Sequence, residues 1–148
     1  MKTNRILLTI CFLLFTGMVF AQSTKKRDNA GQWVKVSDDG EVEIYYNPKI
    51  TTDKKGQHIV WVKAVYHSPE WKNYFANQIG KRTPVESTKT KAMYDGSYNY
   101  VMVRQVQCFS KAGKKIFDTG DDRSAGWGVV NASDPVGIVG EYLGNQND

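Results

Sequence analysis

Residues 58–67, His58-Ile59-Val60-Trp61-Val62-Lys63-Ala64-Val65-Tyr66-His67, decide how this chain folds. Successive side chains of an extended strand point to opposite faces. Val60, Val62, Ala64 and Tyr66 therefore share one face, while Ile59, Trp61 and Val65 share the other. A strand apolar on both faces belongs at the centre of a sheet, with a helix covering one side. The residues that follow supply such a helix. Ser68 suits the N-cap, Pro69 the first helical position and Glu70 the first turn. Trp71, Tyr74, Phe75 and Ile79 then recur at helical spacing, and Gly80 is placed to end the run.

Before this stretch lie two turns. Trp33–Val36 and Val42–Tyr46 read as a hairpin joined across Ser37-Asp38-Asp39-Gly40, where glycine tolerates positive φ. Val42, Ile44 and Tyr46 form its apolar face, and Glu41, Glu43 and Tyr45 its solvated one. Pro48 limits pairing, and Asp53-Lys54-Lys55-Gly56 makes the second turn.

After it, residues 81–91 read as a polar, basic loop entering a strand. Asp95-Gly96 is the dipeptide of a two-residue type I′ hairpin. It leads into a long strand, Tyr98 to Phe109, in which alternation places Tyr98, Tyr100, Met102, Val106 and Cys108 on one face. Lys111-Ala112-Gly113-Lys114 turns this strand back into Lys115–Thr119. A polar loop, residues 120–126, precedes Trp127–Val130. Finally Asp134 and Pro135 open a terminal helix whose Gly137 and Gly140 lower its propensity but allow close contact with a sheet. The predicted class is α+β and mostly β: an antiparallel meander of about six strands, with a C-terminal helix and an inserted one packed on it.

The chain begins as a secretory signal does. Lys2 and Arg5 precede an apolar run, Ile6 to Phe15, and Val19-Phe20-Ala21 predicts cleavage between Ala21 and Gln22. The apolar run, broken at Thr16-Gly17, is short for a membrane span. The expected organisation is a signal at 1–21, a polar leader at 22–31, one domain at 32–144 and a tail at 145–148, with an exported location in the periplasm or at the outer surface. Beyond residue 21 there are 18 basic and 15 acidic residues, a net charge of +3 against +5 for the whole chain. That excess is small and dispersed, so it does not argue for nucleic acid. Of the two cysteines only Cys108 remains after cleavage, so no internal disulfide is expected. Cys108 reads either as a buried small hydrophobe or as a reactive thiol.

The order of Trp33, Tyr45-Tyr46, Trp61-Val62, the tyrosine-rich strand ending in Cys108, then Phe117, Gly120, Trp127, Ser133 and a terminal helix resembles the surface-adhesin protein E family of exported bacterial proteins. The resemblance spans nearly all of the chain beyond the signal. It implies an antiparallel sheet against a C-terminal helix, and a non-enzymatic surface protein that binds host matrix and plasma proteins such as laminin, vitronectin and plasminogen. It often includes a second cysteine at the end of the last helix; Leu143-Gly144-Asn145 stand there instead.

No constellation of residues predicts catalysis, a metal or a cofactor. His58 and His67 lie about 30 Å apart along one strand and on opposite faces. Asp118, Asp121 and Asp122 lack a calcium-loop pattern, and Arg123 beside them would compete with a cation. Glu41 and Glu43 are explained by alternation rather than by paired-carboxylate chemistry. The candidate binding residues are Lys111, Lys114 and Lys115, which crowd one turn and could meet a sulfated glycan or an acidic protein. Lysines at hairpin tips equally suppress edge association. Tyr45, Tyr98 and Tyr100 could form a saccharide platform or serve as cross-strand pairs. The expected function is binding to a host or envelope protein. A periplasmic inhibitor or immunity-type protein and a self-associating envelope module, including a homodimer, are the alternatives.

Overall fold

Strand β4 (His58–Tyr66) lies between β2 (Val42–Tyr46) and β5 (Ser87–Tyr94) in the computed structural model, which describes residues 32–147. The described residues belong to one unit, Gln32–Asp148. The signal segment, the Ala21–Gln22 cleavage site and the leader fall at residues 1–31, outside the described residues. The sheet continues outward through β1 (Val34–Asp38) beside β2, and through β6 (Tyr100–Phe109) and β7 (Lys115–Asp118) beyond β5. Two-residue strands, β3 (Thr51–Thr52) and β8 (Gly128–Val129), pair with β4 and β6. Every pairing is antiparallel, so the sheet is the expected meander.

Helices α1 (Pro69–Gln78) and α2 (Pro135–Gly144) both pack on the same face. Ser68 Oγ caps α1 by accepting from the Glu70 amide, and Gly80 follows its end at φ +64°. Asp134 Oδ1 caps α2 by accepting from the Gly137 amide at 2.7 Å. Under α2 lie Ile44, Val60, Val62, Ala92 and Tyr94, joined by Val139 and Leu143 of the helix. Under α1 lie Ala64, Tyr66 and Cys108, with Ala76 and Val85. Each fully buried valine or leucine here contributes about 1.5–3 kcal/mol. Tyr94, wholly buried, donates its hydroxyl to the Val136 carbonyl at 2.7 Å and so ties the central sheet to the first turn of α2.

The two glycines of α2 do allow a close approach. A Cβ on Gly137 would lie 1.4 Å from the Asn131 carbonyl oxygen, and one on Gly140 would meet Tyr94 Cε1 at 2.8 Å. No helix among the described residues is long and apolar enough to cross a membrane.

Four expectations are corrected. The β5–β6 connection is not a two-residue type I′ turn. The Tyr98 amide donates to the Asp95 carbonyl, Tyr94 pairs with Val101, and positive φ falls on Tyr98 (+58°) rather than on Gly96. A left-handed tyrosine costs on the order of 1 kcal/mol. Burial of its ring against Tyr94 and a 4.9 Å stack on His58 hold it there. The strand accordingly begins at Tyr100.

The alternation assigned to β6 also breaks. Lys91 pairs with Gln105 but Ala92 pairs with Val103, so Arg104 is an extra residue in the ladder. A one-residue bulge moves everything beyond it to the other face. Met102 pairs with Met93 on the face away from the helices, whereas Val106 and Cys108 pair with Thr90 and Thr88 on the helical face. Residues 87–91 are not loop but the first half of β5. On α1, Phe75 and Ile79 join the core, while Trp71 and Tyr74 remain exposed.

Candidate functional site

The helices cover one face of the sheet, and strand alternation therefore sends half of the side chains to the other. Antiparallel pairing places directly opposed residues on the same face. Following the register from β1 to β7, one row on the uncovered face reads Lys35, Tyr45, Lys63, Lys89, Gln107 and Asp118. Trp61, Lys91 and Gln105 form the adjacent row on one side, and Val65, Ser87, Phe109 and Lys115 the row on the other. Neighbouring members of a row are about 4.8 Å apart across the strands.

The charges of this face are mostly paired, and the pairs sit at its margins. Lys35 reaches Asp38 at 2.9 Å and Glu43 at 2.6 Å. The Lys35 ammonium, then the Tyr45 hydroxyl and His67, hold the Glu43 carboxyl below its ordinary range. At the opposite margin Asp118 accepts from Lys115, Gln105, Gln107 and the Gly120 amide, and the Lys115 contact leads in depressing its pKa. Asp121 bridges Lys91 at 3.0 Å and Arg104 at 2.7 Å. Arg104 is only 8 % exposed, and its buried Nε has no partner among the described residues.

The centre differs. Lys63 and Lys89 stand directly opposite each other on β4 and β5, both half-buried, and among the described residues neither forms an ion pair. Aromatic rings frame them instead. Lys63 Nζ lies 5.0 Å from the Trp33 ring centre and 4.4 Å from that of Tyr45; Lys89 Nζ lies 5.9 Å from Trp33 and 5.0 Å from Phe109. Ring quadrupoles attract ammonium groups at these distances by about 0.5–1 kcal/mol each. Burial first, and the Lys89 charge second, push the Lys63 pKa down.

Lys111, Lys114 and Lys115 are exposed at the β6–β7 turn, as a binding site there requires. Lys115 is committed to Asp118 at 2.6 Å, while Lys111 and Lys114 project from the tip. The three tyrosines do not make a platform. Tyr45 faces outward on β2, Tyr98 is buried on the helical side, and Tyr100 is half-exposed near β8. Strand alternation carried through residues 98–100 missed the turn, ending at left-handed Tyr98, that separates Tyr98 from Tyr100.

Residues 89 and 91 were missed for a different reason. The alternation Thr88-Lys89-Thr90-Lys91-Ala92 has a strand period, but its polarity reads as loop unless Thr88 and Thr90 are allowed to face a core. Thr88 does so because its hydroxyl is paired with that of buried Tyr66 at 3.0 Å.

Two further concavities lie on the covered side. An open cleft of about 560 Å³ between the β5–β6 turn and α2 is lined by residues including Tyr98, Asn99, Tyr100 and Glu141. A smaller one, about 280 Å³, sits at Glu70, Trp71 and Tyr74, where the Trp71 indole donates to Glu41. Cys108 is buried, and burial pushes its thiol pKa up. No protein-family model, curated protein or solved structure matches this chain.

Proposed function

We propose that this is an exported, non-enzymatic binding domain that meets a host matrix or plasma protein through the uncovered face of its sheet. The observation that carries the reading is the one-sided placement of both helices. Apart from the part beside β6 where Asp121 lies on Lys91 and Arg104, the strands are left with a face on which Trp33, Tyr45, Trp61, Val65 and Phe109 are half-buried and belong to neither core cluster under the helices. Aromatic residues such as these are enriched at protein-binding surfaces.

The groups that would serve catalysis are otherwise engaged. The Cys108 thiol is buried, the His58 ring is stacked on Tyr98, and Asp118 and Asp121 are held in ion pairs. The lysines of the β6–β7 turn extend the same surface at one corner.

Two measurements test the proposal together. Protease shaving of intact cells should remove the protein, placing it outside the outer membrane. Retention of purified protein on laminin- or vitronectin-coated wells should be lost in Val65→Glu, which puts a carboxylate on the central strand of the face, one row from Lys63 and Lys89. Protection from shaving, or equal retention of Val65→Glu, would overturn the reading and favour a periplasmic partner.

A further inference from the structure

Lys63 and Lys89 pose a physical problem. Like charges directly opposite in a ladder repel, and these two share a face with Glu43, whose carboxylate is already taken by Lys35, Tyr45 and His67. The chain nevertheless holds both ammonium groups in place with the rings of Trp33, Tyr45 and Phe109. A side chain already held in position loses less rotamer freedom when it grips a ligand. An anion lying between the two nitrogens would offset their repulsion.

We propose that Lys63 and Lys89 are the gripping centre of a site for an anionic polysaccharide, a single carboxylated or sulfated chain laid across the strands. The inference takes from the reading above only the choice of face, and adds a ligand to it.

Three features select this chemistry. The row from Lys35 to Asp118 spans six strands, about 24 Å at 4.8 Å per strand, which suits a linear polymer. Gln105 and Gln107 both donate their amide nitrogens to Asp118, which leaves their Oε1 atoms to accept from donors such as sugar hydroxyls. A phosphodiester chain brings few such donors, and its bases would need bare ring faces to stack on. Here the lysines lie over those faces. An extended acidic peptide would add main-chain hydrogen bonds at a sheet edge, whereas Lys63 and Lys89 sit on the two central strands.

The test is calorimetric titration of the protein with dextran sulfate and with polygalacturonate, using neutral dextran and polythymidylate as comparators. At least one of the two anionic glycans should bind, dextran should not, and polythymidylate should bind at least about tenfold more weakly, a difference of about 1.4 kcal/mol. The K63Q/K89Q variant should lose at least about tenfold in glycan affinity, and K54Q/K55Q, on the exposed turn before β4, less than about twofold. K63Q/K89Q removes a repulsion and also the ammonium–ring contacts, effects of opposite sign; its urea unfolding curve should show it fully folded in the absence of urea, which separates lost binding from lost folding. A third readout is the Lys63 side-chain NMR signal, which should shift on glycan addition.

Unchanged glycan affinity in K63Q/K89Q overturns the inference, as does polythymidylate binding as tight as that of either glycan. Failure of both glycans to bind overturns it too, and matrix retention that is still sensitive to Val65→Glu would then leave the protein-binding face standing.

Discussion

Replacing Gly137 with alanine should destabilise the domain, against the usual sign of that change. In an exposed helix interior Gly→Ala is stabilising by about 1 kcal/mol. Here the new Cβ would stand 1.4 Å from the Asn131 carbonyl oxygen, 2.5 Å from its carbon and 3.1 Å from its nitrogen. All three are backbone atoms, so no side chain can swing aside. Relief requires α2 and the residue 131 segment to part by roughly 1.5 Å or more, which in a close-packed interior forfeits much of the contact energy. The parting would loosen Val136, Val139 and Leu143 and stretch the Tyr94–Val136 hydrogen bond. Partial loss of three apolar side chains and one hydrogen bond, less the propensity gain, leaves a net cost of about 3 kcal/mol. A domain of this size holds about 5–15 kcal/mol. With a urea slope of about 1–3 kcal/mol/M, the midpoint should fall by roughly 1–3 M. Tryptophan fluorescence and circular dichroism would follow the transition. Gly144→Ala is the control, since its Cβ would meet nothing nearer than 3.5 Å, and it should stay within about 0.5 kcal/mol of the parent. A Gly137→Ala protein as stable as the parent would refute the argument that α2 is seated by backbone contact.

Tyr94→Phe should cost about 1–2 kcal/mol by leaving the buried Val136 carbonyl without its donor, read as a lower urea midpoint with an unchanged slope. Alkaline pH should unfold the domain in a defined window. Burial pushes the Tyr66 phenol up to about 12, against the Thr88 hydrogen bond that lowers it, and raises Tyr94 further. The unfolded chain releases these protons near pH 10 and the folded one later, so the stability is complete below about pH 10 and lost as pH rises toward 12. For Tyr66 alone the loss is about 2–3 kcal/mol, and the tyrosinate absorbance contributed by Tyr66 and Tyr94 should rise together with unfolding rather than ahead of it. Asp121→Asn should lower the urea midpoint, because Arg104 is then left nearly buried with its charge unpaired. Asp118→Asn should cost less, since Lys115 is solvated at the rim; equal urea midpoints would contradict this ranking. Cys108 should resist a thiol reagent at about pH 8 in the folded protein and react once urea unfolds it, its thiolate being suppressed by burial. Rapid labelling of the native protein would show that the strand opens locally.

The meander, the central β4, both helix starts and the glycine turns were legible in the sequence because each rests on short-range chemistry. A serine or aspartate before Pro caps a helix wherever that helix packs, and Gly40, Gly56 and Gly113 reach positive φ without neighbours. The two-faced apolarity of residues 59–66 required a covered strand whatever covered it. What the tertiary structure decided was register. The extra residue at Arg104 moved Met102 to the opposite face from Val106, and strand alternation cannot announce such a slip from within one strand. Tyr98 took the left-handed position beside an available glycine because its ring had a buried place between Tyr94 and His58. The approach of Lys63 to Lys89 belongs to the same class. Each is an unremarkable lysine in its own strand, and they become a pair only because β4 and β5 align residue 63 with residue 89. Local signals set which residues are extended or helical; pairing across strands, which depends on the whole core seating at once, sets which of them meet.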